Sequence, residues 1–155
     1  MNLIIIFFAK YFIFLIAIVV GLYLLSFYGH TKHFYKKSFI LFGSALVSWI
    51  LAHVLKDIIK HPRPDQALAM IGDGTFSFPS GHTSLITTLG VLLLKGLPAN
   101  RHRRIIGYTV IIFAFVVGSA RVLAGVHYWY DIIGGFITGL LVAIILDRIF
   151  KKFLK

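Results

Sequence analysis

Two groups of polar residues, far apart in the sequence, have the types of side chain that bind and cleave a phosphate ester. Such chemistry requires fixed cations for the phosphate oxygens, backbone donors where charge develops, a nucleophile in line and an acid for the leaving group. The first group lies at residues 56–64 and 78–83, and the second at residues 119–131. Each required part is present in one of these groups.

Lys56 and Arg63 are the candidate cations of the first group. Their spacing of seven is about two helical turns, so it predicts both side chains on one helix face. Pro62 and Pro64 flank Arg63, restrict its backbone and disfavour a helix beyond this point. A guanidinium held in this way can grip phosphate with two hydrogen bonds. The same spacing at a membrane helix end is also typical of headgroup anchors.

Residues 79–82 read Pro-Ser-Gly-His and precede an apolar run. Because first-turn amides are unpaired and the helix dipole favours anions, this stretch predicts an anion cradle. Ser80 can cap the helix and donate its hydroxyl to phosphate, and Gly81 permits close approach of the backbone. His82 is placed to protonate a leaving oxygen. Alone, the same sequence is also typical of an ordinary helix start.

His127 and Asp131 are four residues apart, which predicts that they stack on one face of a helix. Asp131 can then hold one imidazole nitrogen, fix the tautomer and leave the other nitrogen free to attack. An isolated pair at this spacing is more often structural. Its combination with the first group indicates catalysis.

The composition sets these residues in a membrane protein, because 59% apolar content over 155 residues is too high for a soluble domain. A bilayer core of about 30 Å needs roughly 20 apolar helical residues. The sequence predicts one domain over 1–155, an all-α integral membrane bundle, in which Gly135 and Gly139 allow close packing within the chain. Met1–Phe8 is too short to cross alone and is expected at the membrane interface. Five spans are predicted, at Tyr11–Phe27, Phe39–Ile59, His82–Leu97, Ile105–Ala120 and Ile132–Leu146.

Three clusters on alternate breaks between spans contain 11 of the 16 basic residues. Lys and Arg near span ends prefer the cytoplasmic side, so the clusters predict a multi-pass protein of the cell (inner) membrane with its N-terminus outside. Both polar groups then face the extracytoplasmic side. The net charge of +11 is explained by topology and anionic headgroups, so the lipid bilayer is the predicted partner and nucleic acid is not. The clusters are Lys32/Lys36/Lys37, Lys95/Arg101/Arg103/Arg104 and Arg148/Lys151/Lys152/Lys155.

Neither a metal ion nor another cofactor is predicted. Asp57, Asp65 and Asp73 share the outer side, but no spacing among them suggests a metal cage. The absence of cysteine rules out disulfides, thiolate metal sites and a cysteine nucleophile.

Taken together, the two groups resemble the type 2 phosphatidic acid phosphatase (PAP2) family, whose signatures are Lys-x6-Arg-Pro, Pro-Ser-Gly-His and Ser-Arg-x5-His-x3-Asp. The first two are intact, at Lys56 through Pro64 and at 79–82. The third ends at Asp131 but has Ala120 where the family usually has Ser, with Ser119 one place earlier. The resemblance covers residues 56–131, about half of the chain.

The resemblance implies that His127 forms a phosphohistidine, Asp131 orients it and His82 is the general acid. It also implies a reaction without a metal, and a bundle that usually has six spans where five are predicted here. Ala120 removes one hydroxyl donor, and a modest effect on phosphate binding is expected because an arginine follows it. The residues implied to bind phosphate are Lys56, Arg63, Ser80, Gly81 and Arg121.

The predicted function is hydrolysis of a lipid phosphate or diphosphate at the extracytoplasmic surface. Candidate substrates are undecaprenyl diphosphate, phosphatidylglycerol phosphate, phosphatidic acid and lipid A phosphate. The polyprenyl diphosphate is favoured because the sequence offers no added soluble domain to select a larger headgroup. One alternative is a phosphotransferase that uses the same site with a lipid acceptor. The other is a non-catalytic lipid-binding membrane protein, which would not need the His127/Asp131 pair beside His82.

Overall fold

The computed structural model describes residues 2–29, 34–64, 69–72, 74–95 and 101–153, and in these ranges the regular structure is helical. The predicted all-α fold is thus confirmed. Four predicted positions, Met1, Lys32, Leu97 and Lys155, lie outside the described residues. The elements in order are α1 (Leu3–Ile6), a π-helical turn (Phe7–Tyr11), α2 (Phe12–Tyr28), α3 (Phe34–Ile59), α4 (Gly81–Lys95), α5 (Arg101–Leu123) and α6 (Trp129–Phe153).

Within the described residues, four helical stretches are long and apolar enough to cross a membrane. They are Leu3–Ser26, Phe34–Ile59, Arg101–Leu123 and Trp129–Lys152. The third predicted span corresponds to α4, which has 15 residues and packs against α3, α5 and α6. Eleven of the 15 are buried, so α4 is the central helix of the bundle and α3, α5 and α6 surround it.

The N-terminal segment differs from the prediction. Met1–Phe8 was expected as a separate interfacial piece, but Leu3 begins a helical stretch that continues through the π-helical turn into α2. A π-helical turn accommodates an extra residue without ending the helix. It places Ala9 in a buried cluster with Ala120 and Ala124, so these residues contribute to the bundle interior.

The ends of α5 and α6 also extend past the predicted spans, because the predictions stopped at the last apolar residues. α5 begins four residues before Ile105, and α6 ends seven residues after Leu146. The added residues include Arg and Lys, which are good helix formers and can extend their charged ends toward water. Hydropathy thus located the helices and missed their basic ends.

Two glycines of α6 let it approach α4 closely. A Cβ added at Gly135 would lie 2.7 Å from the Ser80 carbonyl oxygen, and one at Gly139 would collide with the Ser84 carbonyl oxygen. Thr88 Oγ1 donates a hydrogen bond of 3.1 Å to the Gly139 carbonyl across the same contact. The predicted role of both glycines in packing within the chain is therefore confirmed.

Replacing Gly135 by Ala tests the closeness of this contact. The new Cβ would lie 2.7 Å from the Ser80 carbonyl oxygen and 2.9 Å from Thr83 Cβ, so α6 must shift away from α4. We expect a loss of about 1–3 kcal/mol in the free energy of unfolding. Thermal unfolding in detergent measures it. Gly43→Ala on α3 is the matched control, because nothing lies within 4 Å of its added Cβ. An equal effect of both substitutions would contradict the proposed contact.

Candidate active site

A buried histidine–carboxylate pair lies where α5 is joined to α6. His127 Nδ1 is 3.1 Å from Asp131 Oδ2, and both side chains are fully buried. The predicted pairing is confirmed, but the predicted helical spacing is wrong, since α6 begins at Trp129 and His127 precedes it. Asp131, in the first turn of α6, reaches back, and its Oδ2 also accepts a 2.8 Å bond from the Tyr128 amide. This is the return half of a capping box, so the start of α6 orients the carboxylate.

The two nitrogens of His127 are in different environments. A carboxylate can only accept, so with Asp131 ionised the proton is on Nδ1 and the lone pair is on Nε2. Nε2 is buried and has no hydrogen-bond partner among the residues that the structure describes. Buried polar atoms without a partner are uncommon in native proteins. Nε2 is therefore the nitrogen that is available to react.

The surroundings of His127 favour its neutral form. Burial lowers the pKa of His127, the hydrogen bond that His127 donates to Asp131 opposes that shift, and the cations Arg121, Arg63 and Lys56 lower the pKa further. A neutral imidazole keeps the Nε2 lone pair that a nucleophile requires. The same three cations are thus close enough to act on an anion that binds at Nε2.

Lys56 and Arg63 come together, but not on one helix face as predicted. α3 ends at Ile59, and Lys60 has a φ of 55°, which turns the chain out of the helix. Both cations are buried, and both line a pocket of about 200 Å³ that also includes His53. The turn after α3, and not the helical repeat, makes them neighbours.

Backbone carbonyls hold the two arginines. Arg63 donates through Nε to the Gly74 carbonyl and through Nη1 to the Val126 carbonyl at 2.5 Å. Arg121, near the end of α5, donates through Nη1 to the Ala9 carbonyl at 2.9 Å. Carbonyls are neutral, so these bonds fix the guanidinium groups without cancelling their charge. Ala9 was not predicted near the site, and the N-terminal helical segment therefore helps to build it.

Ser80 immediately precedes α4 and caps it, as predicted. Its Oγ accepts from the Thr83 amide at 3.4 Å and from Thr83 Oγ1 at 3.1 Å. With both lone pairs used, the Ser80 hydroxyl proton is available for another acceptor. The Ser80 amide donates to the Asp131 carbonyl at 2.9 Å, which joins the starts of α4 and α6. Gly81 is next to His53, since an added Cβ would lie 3.1 Å from the His53 ring.

His82 lies in the first turn of α4, between cations and an apolar groove. Lys56, His53 and Arg63 are within electrostatic range of its ring. Its other surroundings form a groove of about 490 Å³ lined by apolar residues of α2, α3 and α4. The groove includes Ile13, Phe14, Trp49, Leu85 and Leu89. His82 thus lies at the boundary between polar and apolar parts of the site.

The departure at Ala120 has a structural reason. Ala120 is buried in a cluster with Ala9, Ala124 and Val126, where a hydroxyl would face apolar neighbours. Ser119 does not replace the missing family serine, because its hydroxyl donates to the Phe115 carbonyl of its own helix at 2.8 Å. The modest effect on phosphate binding stays a prediction.

Sequence reasoning missed Ser77 and Thr83. Ser77 is fully buried and its Oγ lies 3.3 Å from Asp131 Oδ1. Only tertiary structure brings these two residues together, and no spacing in the sequence indicated it. Thr83 had a local signal, since a hydroxyl residue three positions after a capping serine can reach it.

No metal ion is assigned to the site. In the described part of the chain, no three His, Asp or Glu side chains group as metal ligands would. Asp65 and Asp73, considered for such a role, lie outside the described residues.

The fold and the grouped side chains define a class: helical membrane proteins in which a buried histidine–carboxylate pair is surrounded by cations. The sequence profile of the PAP2 superfamily matches residues 37–155. The chain therefore belongs to the PAP2 superfamily, and it is a multi-pass membrane protein.

Two curated proteins and one solved structure are similar to this chain. Phosphatidylglycerophosphatase B of Bacillus subtilis is 32% identical over 139 residues, covering 81% of this chain and 66% of that protein. Undecaprenyl-diphosphatase BcrC of Bacillus subtilis is 35% identical over 77 residues, covering 50% and 35%. A crystal structure of a PAP2-type phosphatidylglycerolphosphate phosphatase from Bacillus subtilis superposes with a TM-score of 0.68 at 27% identity, covering 96% and 74%. The chain thus spans less than two thirds of the length of the two curated relatives.

The ionisation of His127 can be measured by NMR of protein labelled at histidine in detergent. We expect the titration midpoint of His127 below the ordinary value of about 6.5, because burial disfavours the cation. Asp131→Asn should move it lower still, because Asp131 raises the pKa. Because the pKa of His127 is lowered in the folded wild-type protein, the unfolded chain binds this proton more readily. The contribution of His127 to the free energy of unfolding is therefore lost as pH falls below about 6.5. A midpoint at or above 6.5 would contradict the account.

Proposed function

We propose that this protein is a metal-independent membrane lipid phosphatase that acts through a phosphohistidine on His127. One observation carries the proposal: a buried imidazole whose Nδ1 is held by Asp131 and whose Nε2 has no partner among the described residues, with three cations in range. A structural histidine would satisfy both nitrogens. A nucleophile needs one of them free.

In the proposed first step, His127 Nε2 attacks the phosphorus of the lipid phosphate. The bond from that phosphorus to the leaving-group oxygen breaks, and His82 donates a proton to that oxygen, which is the ester oxygen of a phosphomonoester or the bridging oxygen of a diphosphate. The imidazole becomes cationic as it forms the N–P bond, and the Asp131 carboxylate stabilises this charge. In the second step water attacks the phosphohistidine, His82 accepts its proton, and phosphate leaves with His127 neutral again.

The cations take the role of charge stabilisation in both steps. Charge develops on the phosphate oxygens, and donors fixed in advance in a site with little water stabilise it without reorganisation. Arg63 and Arg121 are fixed by carbonyls, and Lys56 is buried beside them. The Ser80 hydroxyl and the amides at the start of α4 complete the proposed phosphate site.

The groove beside His82 supports a lipid as the leaving group. His82 protonates the oxygen of the lipid leaving group, so in this proposal the lipid leaves on the His82 side, where the groove walls are apolar. The two curated relatives are a phosphatidylglycerophosphatase and an undecaprenyl-diphosphatase, so a phosphomonoester and a diphosphate are both candidates. The basic clusters support a site on the extracytoplasmic side of the cell membrane, because Lys and Arg near span ends prefer the cytoplasmic side.

A panel of four lipids tests the proposal. Purified protein should release inorganic phosphate from at least one of undecaprenyl diphosphate, phosphatidylglycerol phosphate, phosphatidic acid and lipid A phosphate. EDTA should not inhibit, because cations and amides replace a metal in the proposed site. His127→Ala should reduce turnover to background in a protein that still folds, with a lower unfolding temperature because Asp131 loses a buried hydrogen bond. Ser119→Ala, whose hydroxyl bonds only its own helix in the described structure, should retain wild-type turnover.

Three results would contradict parts of this proposal. Turnover by His127→Ala would exclude the nucleophile. Inhibition by EDTA that Mg²⁺ reverses would exclude a metal-independent reaction. Release of phosphate from no lipid, with transfer to an added acceptor lipid, would identify a phosphotransferase.

A further inference from the structure

The second oxygen of Asp131 has a partner that the mechanism above does not use. Oδ2 accepts from His127 Nδ1 and from the Tyr128 amide, whereas Oδ1 lies 3.3 Å from Ser77 Oγ. In the described ranges, no other group donates to Oδ1. Ser77 and Asp131 are both fully buried, so water does not supply this bond from bulk solvent.

The contacts of His61 favour a Ser77 proton directed at the carboxylate. Ser77 Oγ is also 3.1 Å from the Pro62 carbonyl and 3.4 Å from the His61 carbonyl, which are neutral acceptors. His61 Nδ1 lies 2.9 Å from the Pro62 carbonyl and 3.2 Å from Ser77 Oγ. With Nδ1 protonated, His61 donates to both atoms, which leaves the Ser77 proton for the charged acceptor. Bonds to a charged acceptor are about twice as strong as neutral ones.

The backbone around Ser77 is fixed in the same place. The Ser77 amide donates to the His61 carbonyl at 2.9 Å, and Pro62 pairs with Phe76 in an isolated antiparallel bridge. Tyr130 Oη lies 3.2 Å from His61 Nε2 and joins the same network from α6. Contacts from the loop that follows α3 and contacts from α6 therefore both fix the position of Ser77.

We propose that Ser77 is a positioning residue for the phosphatase reaction. Its hydroxyl holds Asp131 Oδ1, which sets the plane of the carboxylate so that Oδ2 faces His127 Nδ1 and Nε2 is aimed at the phosphorus. The terminal torsion of an aspartate is broad, so bonds to one oxygen alone leave this plane poorly defined. The inference rests on the proposed function.

The effect of Ser77 should appear in kcat and not in KM. Ser77 contacts Asp131 and not the cations that bind phosphate, so its loss leaves substrate binding intact and disturbs the attack. Because the lost hydrogen bond is to a charged group, we expect kcat to fall about 10- to 100-fold in Ser77→Ala. KM should change by no more than about twofold, since the phosphate-binding groups remain.

The experiment uses the full chain in detergent and whichever of the four lipids the wild-type protein hydrolyses fastest. Ser77→Ala and Ser77→Cys should both show the loss in kcat, because cysteine keeps the volume but donates only weakly. The cysteine variant gives the comparison if the alanine variant fails to fold. Ser119→Ala is the control for a Ser-to-Ala change. Added to Asp131→Asn, the Ser77→Ala change should cause no further loss, because Ser77 acts through that carboxylate.

The outcomes separate the two proposals. An active wild type whose Ser77 variants keep its kcat would overturn the role of Ser77 and leave the proposed function standing. A loss in kcat that multiplies with that of Asp131→Asn would also overturn it, since Ser77 would then act elsewhere. A wild-type protein that releases no phosphate from any of the four lipids would instead contradict the proposed function.

Discussion

The bond between His127 Nδ1 and Asp131 Oδ2 depends on a carboxylate that is fully buried. Burying an ionised carboxylate is costly unless hydrogen bonds and nearby cations compensate it. Here the Tyr128 amide, the Ser77 hydroxyl and the His127 ring all donate to the two oxygens, and the Asp131 carbonyl accepts from the Ser80 amide. One residue thus joins the loop before α4, the turn before α6 and the start of α6. The helix contacts around Asp131 keep these three segments together.

The membrane limits how these segments can be held together, because the hydrophobic effect does not drive helices together in lipid. Close contact and hydrogen bonds do so instead. Gly135 and Gly139 bring α6 against α4, and Thr88 bonds the Gly139 carbonyl. The Ser48 and Ser84 hydroxyls, 2.6 Å apart, join α3 to the same central helix. The chemical groups at the C-terminal end of α3 and at the N-terminal ends of α4 and α6 are therefore carried by helices in mutual contact.

The sequence predicted the features whose signals are local. Apolar runs located the helices, and the Pro-Ser-Gly start predicted the Ser80 cap. The spacing of four predicted the His127–Asp131 pair, although His127 precedes α6. It did not predict how Lys56 and Arg63 meet, because the turn at Lys60 breaks the helical repeat on which that prediction rested. The contact from Ala9 to Arg121 and the bond from Ser77 to Asp131 join residues 112 and 54 positions apart. Pairings of this kind depend on tertiary structure, and no local pattern indicates them.

The central claim is that His127 Nε2 attacks phosphorus while Asp131 holds Nδ1. Rapid acid-free quenching of the enzyme with a phosphate-labelled lipid substrate, followed by peptide mapping and phosphorus NMR, tests it most directly. The account predicts a base-stable, acid-labile phosphoramidate on Nε2 of His127 that forms and decays at the rate of turnover. A phosphate on Nδ1, a phosphate on another residue, or turnover with no covalent intermediate would contradict the account.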